Sequence, residues 1–247
     1  MCLVLIAFGT RPDLPLVVAA NRDEFYRRPA SAVHAWPEDG RVLAGRDIEA
    51  DGTWLGISTS GRFAAVTNLS DPTENAPRSR GALTSSFLQG QGTASEYAAS
   101  IKGDLYRGFN LVLWDGETLL YTSNRAPTQT LRPGVYGIAN EPLGAEWPKV
   151  IRGRMELSKA VGSDPDTDKL IRLLADESVP PDYLLPDRGR PLEMERRIAP
   201  CFIRGDDYGT RASTAMIVAE NHMTIAEQLY GRGGVMGSRH QISQRRS

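Results

Sequence analysis

A cysteine stands directly behind the initiator methionine and opens an unbroken apolar run, Leu3-Val4-Leu5-Ile6-Ala7-Phe8. Without polar alternation, such a run reads as a strand covered on both faces. Loss of Met1 would leave Cys2 with a free α-amine beside its own thiol. Their reference pKa values, about 8 and about 8.5, are close enough for either group to hold the shared proton near neutrality. That is a nucleophile carrying its own base. Position alone favours a plainer reading, in which Cys2 is a small apolar residue at the start of a buried strand. The rest of the chain shifts the balance.

Arg11-Pro12-Asp13-Leu14-Pro15 is turn chemistry, and Leu16-Val17-Val18-Ala19-Ala20 is a second apolar strand. The short connection predicts a hairpin. The second strand runs without a spacer into Asn21-Arg22-Asp23-Glu24, so antiparallel pairing brings this tetrad beside Cys2. Residues 30–53 are rich in Pro, Gly and charge, with at most a short strand at Val42-Leu43-Ala44. Strands follow over 52–58 and 63–67, the second ending at Asn68 before a polar loop to residue 80. Residues 81–103 predict two short helices. Strands at 109–114 and 119–122 flank the Asp115-Gly116 turn, and a strand at 135–139 ends at Asn140.

Helices are expected over 146–161 and from Asp164-Pro165 to Leu174. Residues 178–193 read as loop. Strands over 214–219, 224–230 and near 236–242 complete the chain, with 244–247 frayed. This order of elements predicts an α+β architecture of antiparallel sheets with helices packed outside. No repeat or linker divides the 247 residues, so a single domain is expected.

Charged residues make up 24% of the chain and the net charge is −1, with Lys and Arg spread along it. That gives no footprint for nucleic acid or an anionic membrane. Two cysteines make no disulfide framework and point to a reducing compartment. The apolar start lacks the basic flank and cleavage site of a signal peptide. No stretch has the length of a transmembrane helix. A cytoplasmic protein is expected. P-loop, dinucleotide and zinc spacings are absent, so no metal site is expected.

Several strands stop at one amide or charge: Ala20 before Asn21, Thr67 before Asn68, Ala139 before Asn140. Each alone has a turn explanation. Together with an N-terminal cysteine they supply the parts of acyl transfer. Asparagine amides can hold an oxyanion, a carboxylate can orient the α-amine, and an arginine near the thiol favours the thiolate.

Across nearly its whole length the chain resembles the NRDE family, also called the transport-and-Golgi-organisation protein 2 family. The resemblance rests on the Met-Cys start, Asn21-Arg22-Asp23-Glu24-Phe25-Tyr26-Arg27-Arg28-Pro29, Gly52-Thr53-Trp54-Leu55-Gly56-Ile57-Ser58, Thr67-Asn68, Gly108-Phe109-Asn110-Leu111, Tyr136-Gly137 with Asn140, and Arg204-Gly205-Asp206-Asp207-Tyr208-Gly209-Thr210-Arg211. That family in turn resembles the N-terminal-nucleophile hydrolases of the choloylglycine hydrolase and penicillin V acylase group. The resemblance implies a four-layer αββα sandwich of two antiparallel sheets and cleavage of linear amides.

Carried over residue by residue, Cys2 matches the nucleophile and Asp23 the carboxylate that holds its amine. Asn68 and Asn140 match the oxyanion asparagines, and Arg211 a late arginine near the nucleophile. Asn21, Arg22, Glu24 and Asn110 are expected to contact the ligand. Those hydrolases carry an arginine where this chain has Ala20, and Arg22 is expected to face the other way unless a bulge redirects it.

Two functions follow from the resemblance. One is a cysteine amidohydrolase acting on a linear amide or acyl compound, with no cofactor required. The other is a carrier of haem, acyl-CoA or lipid on the same scaffold. Haem would need Cys2, His34, His222 or His240 as axial ligand, and acyl-CoA could use Arg22, Arg27, Arg28 or Arg211. The expected partner is a small molecule. Oligomeric state is left open.

Overall fold

The first strand is covered on both faces, as its apolar run requires. In the computed structural model, which describes residues 2–69 and 75–246, β1 (Cys2–Arg11) pairs with β2 (Leu14–Phe25) on one side and with β10 (Gly134–Ile138) on the other. β11 (Tyr208–Val218), β12 (His222–Gly231) and β13 (Gly234–Arg245) extend the sheet beyond β2, in the order β10-β1-β2-β11-β12-β13. All these pairings are antiparallel.

Side chains on an extended strand alternate between faces with a period of two. Here the even positions Val4, Ile6, Val18 and Ala20 join one core. The odd positions Leu3, Leu5, Ala7, Val17 and Ala19 join another, with Val150, Leu157, Val161, Leu170 and Ile171 of α3 (Pro148–Gly162) and α4 (Thr167–Leu173).

The even face packs against a second antiparallel sheet, whose seven strands lie side by side in chain order. They are β3 (Ala30–Trp36), β4 (Asp39–Asp47), β5 (Leu55–Ser58), β6 (Phe63–Asn68), β7 (Phe109–Trp114), β8 (Leu119–Ser123) and β9 (Gln129–Leu131). Phe63, Trp114 and Tyr121 fill the space between the sheets. The outer face of this sheet carries a third core, in which Leu83, Phe87 and Leu88 of α1 (Gly81–Gln89) and Ala94 of α2 (Ala94–Ser100) pack on Leu111 and Leu113. Thr93 and Glu96 form a reciprocal cap at the start of α2, as a Thr-x-x-Glu sequence favours. Three cores separate four layers, helix, sheet, sheet and helix.

The structure departs from expectation in three places. Residues 30–47 form the β3–β4 hairpin rather than loop, because register shifts at Ser31/His34 and Ala35/Trp36 break the alternation that marks a strand. Part of the stretch read as loop around 192 is α5 (Leu192–Ile198), which begins after Pro191 and buries Glu195 and Ile198. The last sheet strands are longer than read: β11 begins at Tyr208, and β13 runs through Gln244 and Arg245, which pair with Met223 and His222.

Gly52 marks the point where the β4–β5 turn presses on the start of α1. A Cβ there would lie 2.8 Å from the backbone carbon of Gly81 and 3.0 Å from its oxygen. Backbone cannot yield as a side-chain tip can. Gly52→Ala is therefore expected to cost about 1–3 kcal/mol in urea unfolding. Gly40→Ala, where a Cβ meets nothing within 4 Å, is expected to change stability by less than about 0.5 kcal/mol.

Candidate active site

The β1–β2 register sets Cys2 directly opposite Arg22 and Leu3 opposite Asn21. The expectation that Arg22 faces away from Ala20 is overturned. Positions two apart on a strand share a face, and no register shift interrupts the pairing from Cys2 to Phe8. Arg22 thus projects between the sheets, on the same side as Cys2. On the other neighbour of β2, pairing runs from Thr210↔Asp23 to Ala212↔Arg22, which leaves Arg211 as the extra residue of a bulge. Arg211 and its neighbour Ala212 both line the cavity.

That cavity has a volume of about 220 Å³ and lies at the end of the inter-sheet space. Of the expected site residues it brings together Cys2, Arg22, Asp23, Glu24, Asn68 and Arg211. Asn140 stands behind them. The Cys2 nitrogen donates to Asn140 Oδ1 at 3.3 Å, and Asn140 Nδ2 donates to the Asn68 carbonyl at 2.7 Å. Cys2 is only 8% exposed. Burial pushes its thiol pKa up, while the Arg22 guanidinium and a hydrogen bond from the Asp23 backbone N–H act in the opposite direction. Met1 lies outside the described residues.

Asp23 is buried, and its Oδ1 accepts a hydrogen bond from Thr210 Oγ1 at 2.8 Å. Burial raises its pKa; the charge of Lys149 and the Thr210 bond oppose that shift. Lys149, at the start of α3, is itself buried and donates to the Ile198 carbonyl at 3.1 Å. Burial lowers its pKa, and the nearby Asp23 supports its charge. Nothing in the sequence singles it out, since a lysine in a helix's first turn ordinarily reads as solvated.

Asn21 and Asn110, expected among the ligand contacts, do not line the cavity. Asn21 faces the helix layer, where its Nδ2 donates to the carbonyls of Leu174 and Cys201 and its Oδ1 accepts from Ser213. Asn110 Nδ2 donates to Thr67 Oγ1 at 3.1 Å and to the Glu141 carbonyl at 2.9 Å, and its Oδ1 accepts from Tyr121 at 2.6 Å. It also reaches the Ala139 carbonyl. Asn110 therefore grips the chain on both sides of Asn140 and positions it.

Two acids beyond the expected set shape the cavity. Asp47 accepts from Arg22 at 2.7 Å and takes a two-point contact from Arg28 at 2.6 and 3.0 Å. It fixes Arg22 over Cys2, and it was hidden in a stretch that reads as loop. Glu227 is buried in the wall, accepting from the Val33 backbone at 2.8 Å and from Thr214 Oγ1 at 2.9 Å. Burial raises its pKa. Among the described residues no group of three or more His, Cys, Asp or Glu is placed to hold a metal ion, and no helix is long and apolar enough to cross a membrane.

A family model described as Transport and Golgi organisation 2 matches residues 1–232. The chain belongs to this family. Among its relatives, the Transport and Golgi organization protein 2 homolog of Bos taurus is 38% identical over 257 residues, covering 92% of each chain. The human homolog is 35% identical over 255 residues, again covering 92% of each. Among solved structures, a mutant conjugated bile acid hydrolase from Clostridium perfringens superposes with a TM-score of 0.56 at 11% identity, covering 98% of this chain and 92% of that one. The N-acylethanolamine-hydrolyzing acid amidase ortholog of Caenorhabditis elegans gives 0.53 at 10% identity, covering 87% and 92%. The chain shares the fold of these two neighbours, an α+β sandwich of two antiparallel sheets.

A raised carboxyl pKa makes a testable statement about stability. Between the ordinary glutamate value and the higher value of Glu227 in the fold, the native state holds a proton that the unfolded chain has lost. Stability contributed by this group therefore falls as pH rises through that window. A Glu227→Gln variant lacks the loss, so its stability relative to wild type is expected to improve as pH rises above the ordinary glutamate value in urea titrations. A difference constant with pH would refute the assignment.

Proposed function

We propose that the protein is a cysteine amidohydrolase that cleaves a linear amide, with Cys2 as nucleophile after removal of Met1. One observation carries this reading: the Cys2 nitrogen is held by Asn140, and Cys2 lines a cavity shared with Arg22, Asp23 and Asn68. The thiol passes its proton to the α-amine of the same residue and attacks the carbonyl carbon. The side-chain amide of Asn68, which lines the cavity, stabilises the oxyanion. The Asn140 oxygen keeps the amine in place, so Asn140 serves the base rather than the oxyanion. Asp23 and Arg22 set the local charge. The protonated amine then gives its proton to the leaving nitrogen, and water cleaves the thioester to release the acid and regenerate the thiol.

The solved neighbours, one named an acid amidase and one a conjugated bile acid hydrolase, support the reaction class. The unpaired thiols of Cys2 and Cys201 suit a cytoplasmic setting. A carrier on the same scaffold is the second reading. Acyl-CoA would find arginines in the cavity, whereas His34, His222 and His240 all lie outside its lining, which leaves haem only Cys2 as an axial ligand.

Intact mass of the purified protein is expected to show a chain beginning at Cys2. Incubation with mixed N-acyl amides is expected to trap an acyl adduct on Cys2, absent in Cys2→Ala. Asn68→Ala is expected to lower kcat by about 10²–10³-fold, as removal of one oxyanion donor does, with KM little changed. Retention of Met1, or ligand binding that survives in Cys2→Ala with no adduct ever trapped, would transfer support to the carrier.

A further inference from the structure

Among the described residues, the lining of the cavity carries more cationic than acidic side chains: seven arginines line it beside four acids, and no lysine does. Several of these charges are already satisfied. Arg22 and Arg28 both hold Asp47, and Arg46 holds Glu38 and Asp51. Arg78, Arg107 and Arg211 have no ion pair with any described residue. The first two stand exposed at the rim.

Arg211 is different, being only 8% exposed. Its Nη1 donates to the Tyr230 carbonyl at 2.8 Å. Its buried Nε has no partner among the described residues. A buried guanidinium without an ion pair is costly, and the nearby Arg22 adds repulsion that Glu227 only partly opposes. An anion entering the cavity relieves both. Planar, forked guanidinium groups match the oxygens of carboxylate and phosphate. The volume of about 220 Å³ falls below the roughly 300–1,000 Å³ of sites for drug-sized ligands. The largest apolar side chains in the lining are Trp54, Val66 and Leu229.

We infer that the compound cleaved here is a small amide bearing a carboxylate or phosphate, held from inside by Arg211 and from the rim by Arg78 and Arg107. That a bond is cleaved rests on the hydrolase reading; that an anion is held rests on the cavity alone.

The test uses the full chain carrying Cys2→Ala and two probes of similar size, N-acetyl-aspartate and its neutral diamide, titrated by calorimetry. N-acetyl-aspartate is expected to bind at least tenfold more tightly at low salt, with inorganic phosphate competing and added salt weakening it. In an Arg78→Ala/Arg107→Ala background the difference is expected to fall below threefold. Both positions are exposed, so the fold should persist, and a matching thermal melt checks this. Equal affinity for the probes, no binding of N-acetyl-aspartate at millimolar concentration, or a difference that survives in the double variant overturns the inference. Failure of the wild-type protein to form a Cys2 acyl adduct with any amide would instead sink the hydrolase reading and leave the anion affinities standing.

Discussion

The site depends on one register. Cys2 opposite Arg22 decides which side chains of the first two strands look into the inter-sheet space and which look toward the helices. A slip by one residue would turn Cys2 toward α3 and send Leu3 into the cavity. The slip is opposed along the whole hairpin, because it would exchange two filled cores at once: Val4 and Ile6 with their partners between the sheets, and Leu3 and Leu5 with theirs beneath the helices. A strand buried on both faces has no indifferent side. The thiol's position is therefore enforced by hydrophobic packing far from any chemistry.

Burial on this scale makes the charges around Cys2 interdependent. Asp23, Lys149 and Glu227 are all buried, and burial moves each toward its neutral form. Each is partly compensated by fixed donors or acceptors: Thr210 on Asp23, the Ile198 carbonyl on Lys149, Val33 and Thr214 on Glu227. Lys149 approaches Asp23 from the helix layer, so charge at the cavity is tuned from behind as well as from within. Arg22 is held on the cavity side by Asp47, which also receives Arg28. The thiol thus meets a guanidinium whose own position is set by a carboxylate one layer away.

Much of this was legible in the sequence. The unbroken run at Leu3 to Phe8, the short turn and the polar tetrad after Ala20 were sufficient to place Cys2 beside residues 21–24. The strand-ending asparagines, together with the family resemblance, pointed to Asn68 and Asn140. What stayed hidden was hidden for physical reasons. Asp47 lies on β4, whose hairpin with β3 has shifts that spoil the alternation by which strands are recognised. Lys149 and Glu227 are ordinary charged residues whose burial only the assembled layers create. Arg211, by contrast, was expected, but through the resemblance alone: it enters the cavity through a bulge, and a bulge has no signature in a period-two pattern.

The two asparagines that fell outside the cavity show why polar residue type alone cannot assign a role. Asn21 and Asn110 are as buried as any residue of the core, and a buried amide left without partners would be costly. Each is fully engaged with backbone and hydroxyl groups from distant segments. Such residues can be as strictly required as those that touch a substrate, because they fix the segments that carry the chemistry. Asn110 does this for the turn that presents Asn140, and Asn21 for the 174 and 201 backbones beside the end of β2. A segment that is not itself held in a sheet needs such an internal clamp, and a short polar side chain with both donor and acceptor capacity supplies it in little volume.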